Sequence, residues 1–369
     1  MPHDPYKALY VHIPFCVSRC GYCDFATEAI DADDPIIDRY VDGVAEELEK
    51  VARDGELADI ESIYIGGGTP SHIGAVRLER LLGCIARNLA KSDVEFTVEA
   101  NPESFDEDIA EVAVAYGVNR ISIGVQSFDD GILKSLGRAH DADRARAAIR
   151  IARQHFHNVS IDLMCGIPGQ TDETLAANIE EALALDIPHV SVYALTIEPH
   201  TAFYRACMEG RIIMPSEDAQ ADQLELVQNM LMDAGRERYE VSNYALPGFE
   251  SRHNCAYWMG VPYVGIGTGA TTMTQNAERR MRVCNGQVTD DLDACQMAAE
   301  DLMLGMRMAK GVSDGAVAHA QNLIPETEET LEELLEDGLL VHEDGRWKPT
   351  ERGWLCGNEV YSRLMDLAP

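Results

Sequence analysis

The order of apolar and polar positions divides the chain into short β-branched runs, each followed by a longer amphipathic stretch. The runs are Ala8–Ile13, Ser62–Ile65, Glu95–Glu99, Arg120–Val125, Val159–Leu163 and Val190–Leu195. The longer stretches are Ile36–Val51, Val76–Leu89, Asp106–Ala115, Asp141–Arg153 and Asp172–Leu185. The first pattern predicts strands and the second predicts helices with one buried face. Ser71, Asp106, Asp141 and Thr171 stand at N-cap positions, where a short side-chain oxygen accepts from the first free backbone N–H groups. Gly117 and Asp186 fall where helices should end. Strands alternating with helices predict β/α units and a parallel sheet. Six units over roughly 195 residues are too few for a closed eight-fold barrel. The expected fold is therefore α/β, a partial (β/α)6 TIM-type barrel, with a doubly wound sheet as the rival.

Past the sixth unit the rhythm changes. Ser216–Ala234 reads as a helix and Tyr239–Tyr244 as a strand. From Pro247 to Gly269 glycine and proline are common and the pattern is irregular. Leu292–Met308 and Glu326–Glu336 read as helices, and Leu339–His342 and Arg346–Pro349 flank Asp344-Gly345, a hairpin signal. Helix plus hairpin predicts a C-terminal, mostly helical, winged-helix-like domain. The expected divisions are 1–240, an irregular connecting segment over 241–290, and 291–369. The C-terminal stretch 325–345 carries nine acidic residues and neither Lys nor Arg. Phosphates would be repelled there, which favours a packing or lid role over DNA binding.

Composition narrows the class. At 46% hydrophobic and 25% charged residues over 369 positions, the chain can bury a substantial core. The 63 Asp and Glu outnumber 30 Lys and Arg, a formal charge of −33. That excess disfavours nucleic acid and anionic membranes as partners. No apolar run approaches the ~18 residues of a transmembrane segment, and the first residues carry neither the basic nor the apolar region of a secretory signal, so a cytoplasmic protein is expected.

Seven of the ten cysteines are scattered, as buried thiols usually are. Cys16, Cys20 and Cys23 instead fall within eight residues, directly after the first strand. Clustered thiolates select zinc or an iron–sulfur cluster. Structural zinc wants four protein ligands, and the nearest others, His12 and Asp24, would make an unusual cage. A [4Fe–4S] cube held by three cysteines leaves one iron open to a small chelating ligand, an arrangement suited to S-adenosylmethionine (SAM) and radical chemistry. Polar and glycine-rich segments follow the other strands: Gly66-Gly67-Gly68-Thr69-Pro70, Glu99-Ala100-Asn101-Pro102, Gln126-Ser127-Phe128, and Asp162 ahead of Gly166–Gly169. In α/β folds ligands gather at the carboxyl ends of the strands, so these loops predict one shared pocket.

The segment from Tyr10 to Phe25, with its Cys-x3-Cys-x2-Cys spacing and Tyr22 before Cys23, resembles the radical SAM superfamily. Within it the chain is similar to the oxygen-independent coproporphyrinogen III oxidase-like family, through Gly66–Pro70, Val98–Pro102, Gly124–Phe128, Gly137–His140, Ile161–Gly169 and Gly265–Gly267. The resemblance implies that Cys16, Cys20 and Cys23 hold the cluster, with SAM as its fourth ligand. It implies SAM contacts at Tyr10, Tyr22, Gly67, Gly68, Thr69, Glu99, Gln126, Arg138 and Asp162. The chemistry of these types is suitable: glycine lets backbone approach a ligand, carboxylates accept from ribose hydroxyls or an ammonium, and a guanidinium can grip a carboxylate.

Three features choose between branches. The coproporphyrinogen dehydrogenases carry a fourth cysteine where this chain has Phe25, and a longer segment ahead of the cluster where this chain has fifteen residues. His253-Asn254-Cys255-Ala256-Tyr257-Trp258 matches the His-Asn-x-x-Tyr-Trp motif of the heme-chaperone branch, HemW. The resemblance thus implies a chaperone that binds heme and passes it to heme-requiring respiratory proteins. A radical SAM oxidoreductase acting on a tetrapyrrole is the alternative, and whether the chain is an enzyme stays open. His253, Asn254, Tyr257 and Trp258 are the heme-related candidates. The nearby Arg252, Arg279, Arg280 and Arg282 are candidates to receive propionates. The resemblance also leaves room for a homodimer.

Overall fold

The computed structural model describes residues 3–369. β1 (Ala8–Ile13) leads into the cysteine loop, which two short paired strands bracket, β2 (Phe15–Cys16) and β3 (Glu28–Ala29). β4 (Ser62–Gly67), β5 (Glu95–Ala100), β6 (Arg120–Gln126), β7 (Asn158–Cys165) and β8 (His189–Ala194) arise at the expected runs. Then come β9 (Glu237–Arg238), β10 (Asn243–Ala245), β11 (Tyr263–Ile266), β12 (Thr271–Gln275), β13 (Arg279–Cys284) and β14 (Gln287–Asp293). These make one mixed twelve-stranded sheet in the order β14-β13-β12-β11-β1-β4-β5-β6-β7-β8-β10-β9. The seven strands from β11 to β8 are parallel, and the flanking strands are antiparallel.

The strands present two different faces, because successive side chains alternate. Leu9, Val11, Ile63, Ile65, Val98, Ile121, Ile123, Val159 and Ile161 belong to the main hydrophobic core. Helices such as Pro35–Arg53 and Ala75–Asn88 add Val41, Leu48, Leu78 and Leu82 to it. The alternate positions carry Tyr10, Tyr64, Glu99, Arg120, Ser122, Asp162 and His189. A polar row of this kind, on the face opposite the main core, gives the fold a place for chemistry.

Asp106, Asp141 and Thr171 cap helices as expected, each accepting a backbone N–H three residues on. Ser71 does not. It lies inside a 3₁₀ turn, Pro70–Ile73, and bonds to Ser104; the helix begins at Ala75 after Gly74, without a side-chain cap. Proline at the first helical position draws the turn one step earlier than the N-cap pattern suggests. Tyr239–Tyr244 is not one strand. The chain folds back there, so β9 and β10 pair antiparallel around Glu240, whose carboxylate accepts the Ser242 N–H at 2.9 Å. The stretch 241–290, expected to be irregular, holds one helix, Arg252–Trp258, the strands β10 to β13 and the start of β14. Its glycines punctuate tight turns between short strands and do not mark loose chain.

A second core forms at the C-terminus from Ala299, Leu302, Met306, Leu331, Leu334, Leu340, Trp347, Val360 and Leu364. Its three-stranded antiparallel sheet joins β15 (Val312–Ser313), β17 (Arg346–Pro349) and β16 (Leu340–Glu343) in that order. Asp344 and Gly345 both take positive φ, the geometry of a tight hairpin. No helix among the described residues is long and apolar enough to cross a membrane.

Candidate functional site

One cavity opens at the carboxyl ends of β4, β5 and β6, where the cysteine loop folds over the polar face. It is lined by Cys16, Cys20, Cys23, Tyr22, Gly67, Gly68, Glu99, Gln126, Arg138 and Asp162, all of them sequence candidates. Asn101, Ser122, Gly124, Arg19 and Phe25 also line it. Tyr10 and Thr69 stand behind it. Tyr10 shares a hydrogen bond of 2.9 Å with His12 Nδ1. Buried Thr69 donates its hydroxyl to Cys16 Sγ at 3.4 Å.

The three cysteines are half-buried. Burial pushes the Cys16 thiol up to about 11, against the opposing effect of the Thr69 hydroxyl. The Arg138 guanidinium donates to Cys20 Sγ at 3.5 Å. Cys23 Sγ lies 3.9 Å from Thr27 Oγ1. Each sulfur therefore has its own polar neighbour. No three His, Cys, Asp or Glu among the described residues converge on a single ion. A [4Fe–4S] cube takes one thiolate per iron, and the three thiols on this cavity wall are a donor set of that kind.

The glycine loop is tied down by its surroundings. Gly67 has φ +111°, and a Cβ there would fall 2.3 Å from the His12 ring, so only glycine fits. Gly68 N–H donates to Ile13 O at 2.7 Å and Thr69 N–H to Phe15 O at 2.8 Å. Gln126 also takes positive φ, at a register shift between β6 and β7. That shift turns the end of β6 toward the cavity.

The carboxylates and Arg138 are already engaged within the protein. Glu99 Oε1 accepts from Tyr64 at 2.6 Å, and Oε2 from the Gly67 N–H at 3.2 Å. Burial raises the Glu99 carboxyl to about 7, with nearby Asp162 adding to the rise and the Tyr64 hydroxyl opposing it. Burial likewise raises Asp162, which accepts from Ser122 at 3.4 Å. Arg138 Nη2 donates to Asn101 Oδ1 and to Gly124 O, both at 2.7 Å, leaving buried Nε as its unpaired donor. Asn101 in turn donates to Thr69 Oγ1 at 2.8 Å. Sequence reasoning passed over Asn101 as a site residue, although its position in Glu99-Ala100-Asn101-Pro102 at a strand end was the available signal.

The structure places His253, Asn254, Tyr257 and Trp258 elsewhere. They lie on the helix Arg252–Trp258, against the amino-terminal ends of β4 and β5. Both Glu95 carboxylate oxygens accept N–H groups from the first turn of that helix, those of Arg252 and His253, at 2.9 Å. His253 is only 1% exposed. Its Nδ1 meets Ser62 Oγ at 3.0 Å, its ring stacks on Tyr64, and Nε2 has no partner. Burial drives its pKa down to about 3, so the ring is neutral. Tyr257 packs edge-on against His253 and Tyr263. Trp258 donates its indole N–H to Glu240 and lies under Arg307. Asn254 N–H bonds back to the Ser251 cap. A wider hollow nearby, at the amino-terminal strand ends, is lined by Ser62, Glu95, Asn158, Cys255 and Met259.

The four arginines considered for propionates are all paired with carboxylates: Arg252 with Asp93, Arg279 with Asp291, Arg280 with Glu300 and Asp301, and Arg282 with Glu300 and Asp290. In a chain this acidic, each of these four cations has found a carboxylate of the protein.

Residues 10–182 match the model of the radical SAM superfamily, and residues 292–356 that of the HemN C-terminal domain. Heme chaperone HemW of Lactococcus lactis subsp. lactis is 37% identical over 97% of each chain. Heme chaperone HemW of Bacillus subtilis is 35% identical over 97% of this chain and 99% of its own. That of Escherichia coli is 34% identical over 96% and 97%. Among solved structures, the coproporphyrinogen III oxidase HemN from Escherichia coli matches with a TM-score of 0.81 at 20% identity, covering 99% of this chain and 91% of that one. At that identity the likeness is one of fold.

Proposed function

The chain belongs to the HemW family of the radical SAM superfamily, and from that premise we propose that it is a heme chaperone built around a SAM-coordinated [4Fe–4S] cluster. The observation that carries the reading is similarity to several heme chaperones along nearly the whole length of both chains. The cavity supports the cofactor half. Cys16, Cys20 and Cys23 would hold three irons. When bound, such a cluster offers an open iron to a chelating ligand and a path for one electron. The protein's own groups then have definite tasks. Thr69 and Arg138 donate hydrogen bonds to the Cys16 and Cys20 sulfurs and so hold those sulfurs in place at the cavity wall. Gly67 and Gly68 let backbone approach the methionyl end. Tyr22, Gln126, Glu99 and Asp162 face the rest of SAM, with Tyr10 behind them. Arg138, its Nη atoms engaged, acts by holding Cys20 and Asn101 and does not offer a free fork.

The exposed Phe25 side chain stands where the oxidases have a fourth cysteine, which weighs against decarboxylation of a coproporphyrinogen. Heme is the cargo, respiratory heme proteins are the acceptors, and the reducing cytoplasm suits a chain of ten free cysteines. His253, Asn254, Tyr257 and Trp258 mark the heme-related segment, and a homodimer belongs to the same proposal. The finer architecture is likewise a proposal: the strands β1 and β4 to β8 with their helices form a partial (β/α)6 barrel, and the C-terminal helices with the β16–β17 hairpin form a winged-helix-like module.

The test is an anaerobic heme titration of the cluster-reconstituted protein, followed through the Soret band. Incubation with SAM, reductant and coproporphyrinogen III runs in parallel. A saturable Soret transition without 5′-deoxyadenosine coupled to porphyrin formation is expected. Stoichiometric 5′-deoxyadenosine with porphyrin product would replace the chaperone by an oxidoreductase.

A further inference from the structure

The cavity and the helix Arg252–Trp258 lie toward opposite ends of the parallel strands, yet one set of contacts joins them. The His253 and Tyr64 rings stack, with centroids 5.1 Å apart and planes 27° from parallel. Tyr10 stacks on Tyr64 as well, at 6.4 Å and 25°. The Tyr64 hydroxyl donates to Glu99 Oε1 at 2.6 Å, and Glu99 Oε2 accepts from the Gly67 N–H in the cavity wall. Two residues before Tyr64, on the same face of β4, Ser62 meets His253 Nδ1. Two residues after it, Gly66 leaves the necessary room: a Cβ there would fall 2.8 Å from Glu99 Oε2 and 2.9 Å from the Tyr64 ring. The inner row Ser62, Tyr64, Gly66 of one strand thus touches the helix, the carboxylate and the glycine loop in turn.

We propose that Tyr64 is a positioning residue that couples the helix Arg252–Trp258 to the cavity, holding Glu99 for SAM and passing any shift of that carboxylate to His253. The proposal rests on the cavity being the SAM site. Each carboxylate oxygen has about two acceptor sites, so a ribose hydroxyl or ammonium can bond to Glu99 while Tyr64 and the Gly67 N–H hold its oxygens in place. A ligand on Glu99 fixes the carboxylate and, through the shared hydrogen bond, the Tyr64 ring. In a close-packed interior the ring cannot move without displacing the imidazole stacked on it. Coupling of this kind is reciprocal, so a change at the helix alters SAM affinity by the same factor.

The experiment uses the full chain with its cluster reconstituted under anaerobic conditions. Tyr64→Phe keeps the ring on His253 and deletes only the hydroxyl. SAM affinity is measured by calorimetry, and amide hydrogen exchange over residues 252–258 is followed with and without SAM. The wild type should gain protection over 252–258 when SAM binds. In Tyr64→Phe, SAM should bind roughly 5–20-fold more weakly. Protection over 66–69 should persist in the variant while that over 252–258 vanishes. A merely structural hydroxyl would lower the melting temperature and leave SAM-dependent protection intact, which overturns the proposal. Should Tyr64→Phe fail to fold, His253→Ala serves from the other end: it removes the ring stacked on Tyr64, and by reciprocity SAM should again bind roughly 5–20-fold more weakly, whereas unchanged SAM affinity overturns the proposal. A wild type that binds SAM with an indifferent helix overturns the coupling alone. A wild type that binds no SAM overturns the cavity reading and the coupling with it.

Discussion

The cysteine loop and the helix Arg252–Trp258 carry the two most distinctive motifs of this chain, and the fold treats them oppositely. The loop keeps its three thiols half-buried around an open space, and its Phe25 is 71% exposed. The helix buries His253, ties its first turn to Glu95 and spends its aromatic rings on packing. A motif is therefore not by itself a statement of access. Side chains left facing a cavity with unfilled hydrogen-bonding capacity can take up a ligand as the fold stands. Side chains packed against β4 act on a ligand through what they hold, or after the helix moves.

Four measurements would break or sharpen this contrast. The largest effect is expected from Cys20→Ala. Iron and acid-labile sulfide should be lost after reconstitution, while the cluster-free variant stays within about 1 kcal/mol of the cluster-free wild type, because the thiol is half-buried and small. Retention of an intact cluster would remove Cys20 from the ligand set. His253→Ala should do the reverse. Deleting a buried ring stacked on Tyr64 and Tyr257, and leaving Ser62 without its partner, should cost about 2–4 kcal/mol in denaturant unfolding. The cluster should still assemble. A variant as stable as the wild type would mean that the helix is looser than its packing indicates.

The third concerns pH. Burial holds His253 down to about 3 and His189 well below its ordinary value. Below about pH 6.5 the unfolded chain takes up these protons and the folded chain does not. Stability therefore falls with falling pH, with a slope of up to about 1.4 kcal/mol per pH unit for each histidine. Between pH 6.5 and 5, removing His253 should reduce that slope by one histidine's share. An unchanged slope would place the protonated ring in solvent. The smallest effect belongs to Phe25→Ala, which should alter stability by less than about 0.5 kcal/mol. Any clear loss of SAM affinity in that variant would show that the exposed ring closes over the ligand.

Much of the fold was legible locally. β1 and β4 to β8 coincide with the β-branched runs, and Asp106, Asp141 and Thr171 cap the helices their spacing implies. Ser71 was not legible, because a proline-led 3₁₀ turn intervenes before the helix. β11 escaped notice as the seventh parallel strand: its four residues, Tyr263–Ile266, sit among glycines and pair with β1 across more than 250 positions of sequence. Ten of the twelve cluster and SAM candidates share the cavity wall, since strand-end motifs are carried to one rim by any parallel β/α array. Asn101 became apparent only once Thr69 and Arg138 were seen to meet on it.

By itself the sequence determined the β/α rhythm, the three-cysteine loop, its family and the absence of a fourth cysteine at Phe25. These depend on residue type, spacing and periodicity, which are local. The tertiary structure decided which groups remain available. Pairing partners for Arg280, Arg282 and Arg138, the burial of His253, and the contact of Tyr64 with both Glu99 and His253 join residues tens to hundreds of positions apart. Burial and pairing are properties of the packed sheet and helices, so no single segment of the chain could encode them alone.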